Sequence, residues 1–459
     1  MNDDQYSNGF STSVNKTLEA VIAEEMASNK LPGVSVAVVH DQQIVWARGY
    51  GVADFNSQRK VTPDTIFAVG SITKLITATI LMQLRDSGKL NLDDPVEKYL
   101  PSLKIHARGS SGRPVTIRQI ASHTAGLPRE ISFESWNTLE FPPFESLIES
   151  LKDVTAVFPP LSKYKYSNLG YAILGQVIAV ASGKSYKECA LESVLQPLGM
   201  ARSGFDIPAL PEAPATGYKV FGDEPAEETP YLDFGAVAPA GQLFSSVIDI
   251  SRFLSMQFLE EPDSSGSLAP VLDPATIREM HSPVYIGRAW VGGTAIGWHI
   301  SRAFGHTISS HRGGIPGFTT DVALIRELKL GVAVFTNAFP QPNEIAVRIL
   351  ESLTPTISRF ATEQSQAGDT GSDEMAKYAG RYRSRYYGDI EISYFAGRLS
   401  MSDILAPPGL KTILIPAGKD RFLMSGGDED GEFAVFDVAA DGSVLSINTA
   451  GYRFEKLAQ

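Results

Sequence analysis

The chain has almost no cysteine, no excess of basic charge and no long apolar run. Cys189 is the single cysteine in 459 residues, so neither an intrachain disulfide nor a cysteine-built metal cage can form. Its expected place is as a small buried residue in a helix. Lys and Arg number 40 against 52 Asp and Glu, a formal net charge of −12, which disfavours nucleic acid and acidic lipid surfaces as partners. No stretch is apolar for long enough to span a bilayer. Residues 1–13, MNDDQYSNGFSTS, lack the basic start and apolar run of a secretory signal. Together these absences imply no membrane, no nucleic acid and a cytoplasmic location. His40, His106, His123, His281, His299 and His306 show no metal-ligand spacing and read as structural, so neither metal nor cofactor is expected. A G-x-S-x-G elbow, an H-E-x-x-H pair and a P-loop are missing too.

What is present is a globular composition, 43% hydrophobic and 20% charged, on a chain longer than one typical domain. Residues 14–26 carry apolar side chains at helical spacing, with Ser13 as the expected N-cap. Residues 33–40 (GVSVAVVH) and 44–50 (IVWARGY) read as a hairpin. Residues 71–84, SITKLITATILMQL, are apolar almost all round, which places this helix inside a core. Shorter helical patterns follow to residue 260. Strands are expected again at 294–301, 305–311, 318–325 and 329–336, then a helix at 343–352. The expected fold class is α/β (α+β): an antiparallel sheet built from both ends of the domain, flanked by helices, with an all-helical region inserted. Residues 361–373, ATEQSQAGDTGSD, read as a linker. The expected domains are therefore 1–360 and 374–459. The second shows short alternating stretches broken by turns, such as DIEISYF, GRLSMSD and EFAVFDV, and is expected to close into a small β-barrel.

The chemistry hangs on three short motifs, none of which is specific alone. S-x-x-K occurs four times, at Ser13, Ser57, Ser71 and Ser162. Ser13 reads as a helix cap and Ser57 lies in a polar turn. Ser71 opens the buried helix directly after the extended TIFAVG, where free backbone N–H groups and the helix dipole favour an oxyanion. Lys74 lies one turn along on the same face, within reach of the serine oxygen, and its burial eases proton loss. The second motif, Tyr166-Ser167-Asn168, offers a phenol and an amide at the head of an apolar helix. An ammonium beside the phenol is expected to lower its pKa and make it a base. The third is SHRGGIPGF, a strand in which glycines permit close backbone approach to a ligand. By alternation His311 and Gly313 share one side and Arg312 takes the other, so His311 is the expected site residue and Arg312 a structural one.

In this order, S-I-T-K at 71, Y-S-N at 166 and H-R-G-G at 311 resemble the motif set of class C β-lactamases, family VIII esterases, D-aminopeptidases and related penicillin-recognising enzymes. LPGVSVAVV, FAVGSITK, VTIRQIASHTAGLP and APAGQLFSSVIDISRFL are similar as well, so the resemblance runs over roughly residues 15–355. It implies that Ser71 attacks a carbonyl, that Lys74 and Tyr166 move its proton, and that Asn168 contacts substrate. It also implies an oxyanion hole formed by the N–H groups of Ser71 and Gly314, with Gly313 in the substrate-binding motif. True β-lactamases carry Lys-Thr-Gly where this chain has His311-Arg312-Gly313, which implies weak or no lactam hydrolysis. The tail, from KYAGRYRS onward, resembles the lipocalin-like barrel of several relatives.

The expectation is a serine hydrolase acting on a small-molecule or short-peptide acyl substrate as an esterase or D-amino-acid-type peptidase, with a homo-oligomer allowed. Alternatives are an acyltransferase or peptide-cyclising thioesterase, in which an amine or alcohol replaces water, and a non-catalytic assembly protein of the same fold.

Overall fold

A computed structural model describes residues 10, 12–106, 114–130, 135–143, 146, 147, 149, 154–220, 226–260, 271–339, 345–367, 373–385, 388–395, 398–403, 412–426 and 430–457. They form two compact units, Met1–Pro355 and Thr356–Gln459.

In the first unit, helix α1 (Thr12–Asn29) starts just ahead of Ser13 and buries Leu18 and Ile22. The hairpin of β1 (Gly33–His40) and β2 (Gln43–Asp54) forms where expected. It belongs to an antiparallel sheet completed by β3 (Arg59–Lys60), β4 (Tyr285–Ile286), β5 (Gly292–Thr294), β6 (His299–Ala303), β7 (His306–Ile315), β8 (Phe318–Ile325) and β9 (Leu330–Thr336). The nine strands run in the order β4-β5-β6-β7-β8-β9-β1-β2-β3. Val34 of β1 pairs with Thr336 of β9, so early and late segments meet in the middle of the sheet, as the motif order implied. Strands β8 and β9 are buried throughout and β1 in all but its last residue. A strand covered on both faces has no side to give to water, so its apolar residues do not alternate with exposed ones and polar residues such as Thr320 and Asp321 of β8 are buried as well.

In sequence, the helical region lies between the early and the late strands of the sheet. Helix α2 (Thr73–Asp86) buries nearly every residue, Lys74 included, and packs on α3 (Asn168–Ser182). A further helix, α4 (Val247–Met256), lies on β1 and β9. Cys189 is buried in the short helix Tyr186–Ala190, as expected.

Helix α5 (Ile345–Ala367) contains the boundary of the two units at Pro355 and extends into the stretch read as a linker. ATEQSQA has no large apolar residue to set a helical period, yet Ala, Glu and Gln are strong helix formers. Residues 368–372 of that stretch lie outside the described residues.

The second unit is a closed barrel of eight antiparallel strands in sequence order. They are β10 (Gly380–Ser384), β11 (Gly388–Phe395), β12 (Arg398–Asp403), β13 (Thr412–Pro416), β14 (Arg421–Ser425), β15 (Phe433–Val438), β16 (Val444–Thr449) and β17 (Tyr452–Lys456). Pairing of Tyr382 with Lys456 joins the first strand to the last and removes both edges. Tyr382, Ile392, Leu399, Leu414, Met424, Phe436, Ile447 and Phe454 point inward and fill it.

Candidate active site

The site begins with a local backbone demand. Gly70 holds a φ of 54°, a left-handed conformation natural to glycine, and turns the chain from the extended Phe67–Ala68 into a 3-10 turn, Gly70–Ile72, that leads into α2. Thr73 Oγ1 donates to Gly70 O at 2.6 Å and accepts from Leu243 N at 3.0 Å, pinning the turn. Strand β7 passes close by. A Cβ on Gly313 would overlap the Val69 carbonyl oxygen and Thr320 Oγ1, so only glycine lets the strand lie against the turn that carries Ser71. Gly313 is buried in that contact, while Gly314 is exposed to the cavity beside Ser71.

Ser71 is half-buried and receives two side chains. Tyr166 donates its hydroxyl hydrogen to Ser71 Oγ at 2.7 Å, and Lys74 Nζ lies 3.1 Å from the same oxygen. Lys74 Nζ also reaches Asn168 Oδ1 at 2.8 Å and Ala240 O at 2.7 Å. Those two oxygens only accept. A neutral amine has two hydrogens and one lone pair, so with both hydrogens committed its lone pair is left for Ser71. Burial pushes the Lys74 ammonium well below the usual lysine range, opposed by the Glu130 carboxylate and assisted by Arg129. Burial drives Tyr166 the other way, well above an ordinary phenol, against the lowering effects of its bond to Ser71 and of Arg129. The expected lowered tyrosine pKa is therefore corrected. Withdrawal from water outweighs its charged neighbours, and of the two groups the lysine is the one inclined to lose a proton.

The Y-S-N motif owes its geometry to a helix cap. Ser167 Oγ accepts from Gly170 N at 2.9 Å as the N-cap of α3 and donates to Pro128 O at 2.6 Å. Tyr166 and Asn168 flank that cap and so reach Ser71 Oγ and Lys74 Nζ respectively. Asn168 Nδ2 donates to Glu130 Oε1 at 2.6 Å. His123 holds the motif from behind. Its Nδ1 accepts Ser167 N–H at 3.1 Å, its carbonyl accepts Lys165 N–H at 2.8 Å, and its ring lies on Tyr166 with centroids 4.5 Å apart.

His311 is buried on β7, with Nδ1 2.9 Å from the carbonyl oxygen of Arg312. Because that oxygen accepts, Nδ1 carries the hydrogen and Nε2 a lone pair, for which the described residues supply no partner. Burial, then His299 and Lys74, hold its pKa well down, so the ring is neutral. Arg312, expected on the far side, lines the same cavity as His311.

Ser71 stands at the junction of two cavities. One, of about 350 Å³, is walled by Trp136, Phe234, Val237, Ile315 and Phe339, with Glu130 and Asn168 near Ser71. The other, of about 820 Å³, is more polar and takes in Tyr164, Tyr166, His299, His311 and Arg312. Thus Ser71, Lys74, Tyr166 and Asn168 converge, and His311 and Gly314 border the same space. Sequence reasoning passed over Glu130 and the Ala240 carbonyl, and read His123 and His299 as structural only. Glu130 adjoins and His123 belongs to VTIRQIASHTAGLP, and Ala240 belongs to APAGQLFSS, both already singled out for their resemblance. A carbonyl that acts through its backbone has no letter of its own.

The Beta-lactamase family model matches residues 18–353. "Beta-lactamase-like protein 2" of Dictyostelium discoideum is 30% identical over 358 residues, which cover 76% of this chain and 64% of that protein. "Unguisins hydrolase ungD" of Aspergillus violaceofuscus is 28% identical over 352 residues, 72% of this chain and 62% of that one. Among solved structures, the octameric penicillin-binding protein homologue from Pyrococcus abyssi superposes with a TM-score of 0.65 at 27% identity, covering 96% of this chain and all (100%) of that one. With the fold and motif geometry above, the match over residues 18–353 identifies the chain as a member of the beta-lactamase family.

Proposed function

We propose that the protein hydrolyses small ester or amide substrates through an acyl-enzyme on Ser71, as an esterase or peptidase. The observation that carries this is the placing of Ser71 Oγ between a buried amine inclined to be neutral and a phenol inclined to stay protonated. Ser71 Oγ bonds to the carbonyl carbon as its proton passes to Lys74 Nζ. The N–H groups of Ser71 and Gly314 receive the oxyanion. The bond to the leaving group breaks with its electron pair, and the Tyr166 hydroxyl protonates the departing atom. The proton on Lys74 then restores the phenol. In the second half, water gives a proton to Lys74 and adds to the acyl carbon; the ester bond breaks, and Ser71 takes that proton back. His311, with a neutral acceptor nitrogen where lactamases have a lysine, does not supply the cation that would hold a lactam carboxylate, which supports weak or no lactam turnover.

The test is intact-mass analysis after exposure to a fluorophosphonate probe and to a chromogenic cephalosporin, comparing the native chain with Ser71→Ala. A fluorophosphonate adduct that is lost in Ser71→Ala is expected, with little cephalosporin turnover. A folded native protein that takes no label would overturn the acyl-enzyme and leave a binding or assembly role.

A further inference from the structure

The larger cavity is crossed by a strap of chain that the mechanism above leaves unused. Residues 162–164 lie just before Tyr166, and two side-chain contacts tie them to the sheet. Tyr164 Oη lies 3.3 Å from His299 Nε2, and Tyr285 Oη donates to Ser162 O at 3.2 Å. Tyr285, Thr294, His299 and Ser310 stand in register across β4, β5, β6 and β7. The strap is therefore anchored at two points of one row, two strands or roughly 10 Å apart.

That row divides the cavity. From Ser310 strand β7 runs on to Gly314, which lies against Gly70 beside Ser71. Ser71, Tyr166, His311 and Gly314 thus lie to one side of the row, and Gly292, Ser301, Arg302 and Ala303 lie further along the strands to the other. Four residues of strand, about 14 Å, separate Ser310 from Gly314, a length that suits a small alcohol, an amine or a single amino acid.

The strap is firmly held at its ends and loosely in its middle. Leu161 N donates to Thr124 O and Lys165 N to His123 O, each at 2.8 Å. The two contacts with the sheet are longer and exposed, whereas an O–H donor usually comes within about 2.8 Å of its acceptor. Water replaces such bonds at little cost.

What meets the strap follows from Tyr166. It lines the larger cavity and is not among the described residues lining the smaller one. In the reaction proposed above the leaving atom takes its proton from Tyr166, so the leaving group departs into the larger cavity.

We infer that the strap at residues 162–164 selects substrates by the length of the leaving group, with Tyr164 as the deciding residue. A short leaving group is held between Ser71 and the closed strap. A longer one enters only when the Tyr164–His299 contact breaks and the strap lifts from the sheet, and its far end then lies over Gly292, Ser301 and Arg302. This rests on the acyl-enzyme reading above and adds to it the size of the group that leaves.

Two fluorophosphonates of matched reactivity towards water test this on the full chain. One carries ethyl substituents alone; the other carries a tetraethylene glycol–biotin arm too long for the smaller cavity. The rate of Ser71 labelling is measured for each, and the ratio of long to short is compared among the native chain, Tyr164→Phe, Tyr164→Ala and Tyr285→Phe. A general loss of folding or of nucleophilicity slows both reagents and cancels in the ratio. The native ratio is expected well below one. It should rise about two- to tenfold in Tyr164→Phe, further in Tyr164→Ala and less in Tyr285→Phe. A native ratio near one, or no rise in Tyr164→Ala, which removes both ring and contact, would overturn the inference. Failure of the short reagent to label native Ser71 is instead the failure of the acyl-enzyme itself, so the two outcomes are distinct.

Discussion

Two antiparallel β structures in this chain dispose of their side chains in opposite ways. In the barrel, strands such as β14 and β15 alternate buried positions with more exposed ones, and most of what is buried is apolar, with Ser384, Thr412, Ser446 and Thr449 among it. In the sheet, β8 and β9 are buried from end to end, and the buried positions include Thr319, Thr320, Asp321 and Thr336. A structure with one wet face can send its polar groups outward. A structure with both faces covered must bond them internally, and those fixed polar groups can in turn position others. Thr320 shows this: its hydroxyl donates to Val69 O at 2.8 Å, two residues before Ser71. In the sheet a buried hydroxyl thus helps to hold the turn that carries Ser71, whereas the core of the barrel is chiefly apolar packing.

The widest separation between the two regions should come from Lys74→Met, which keeps most of the side-chain volume and removes the base. Turnover is expected to fall about 10²- to 10⁴-fold. In the native protein, kcat/KM should drop on the acid side as Lys74 gains a proton, at a pH well below ordinary lysine titration; this limb should vanish in the variant. Stability carries the same signature. The folded pKa is depressed, so between it and the unfolded value the unfolded chain holds a proton that the folded one lacks, and stability rises with pH through that window. Denaturant titrations across pH should show the rise in the native chain and its loss in Lys74→Met.

Next in size is the barrel counterpart. Phe436 is buried against Tyr378, Tyr382 and Phe422, and Phe436→Ala should destabilise its unit by about 3–5 kcal/mol. Separate unfolding transitions for the two units, followed by hydrogen exchange, would check this. A loss spread evenly over both units would blur the contrast.

A smaller effect is expected at His123, which touches no reacting atom but positions the Y-S-N motif. His123→Ala should lower kcat by about 10- to 100-fold, with KM little changed. His123 has a φ of 56°, a conformation that Asn tolerates better than Ala and in which its side-chain oxygen can still accept the Ser167 N–H. Recovery of kcat in His123→Asn would mark positioning; equal damage in both variants would make the imidazole itself essential. Last, Ser167→Ala removes the cap of α3 and should cost about 1 kcal/mol of stability, read from the denaturation midpoint.

Much of this was legible beforehand. The hairpin at Gly33, the buried helix after Ser71 and the barrel strands follow from periodicity, which reports on faces and burial. Ser71 stood out among four S-x-x-K matches because it alone opened an apolar helix, and Lys74 came with it at one turn's spacing. The strand Gly380–Ser384, within the tail noted for its resemblance, was not separately read; GRYRS mixes charge into its outward face, and its role is settled by closure with Lys456, far away in sequence. The protonation state of Tyr166 was misjudged because proximity to an ammonium can be guessed from motifs, whereas the depth of burial is a tertiary property. Glu130 and His123 escaped for a related reason, since each acquires its meaning only from Asn168 and Ser167 nearly forty residues or more downstream.

The junction at Ser71 has a further consequence for the fate of the acyl group. In the acyl-enzyme proposed above, an acyl chain seated in the aromatic-walled cavity would leave the polar cavity as the way in for the next nucleophile. Water, an amine and an alcohol would then compete for one doorway. The partition between hydrolysis and transfer would become a matter of occupancy there, beside Tyr164, His299 and Arg312, so an enzyme with this layout could change its product without changing a single atom of its catalytic machinery.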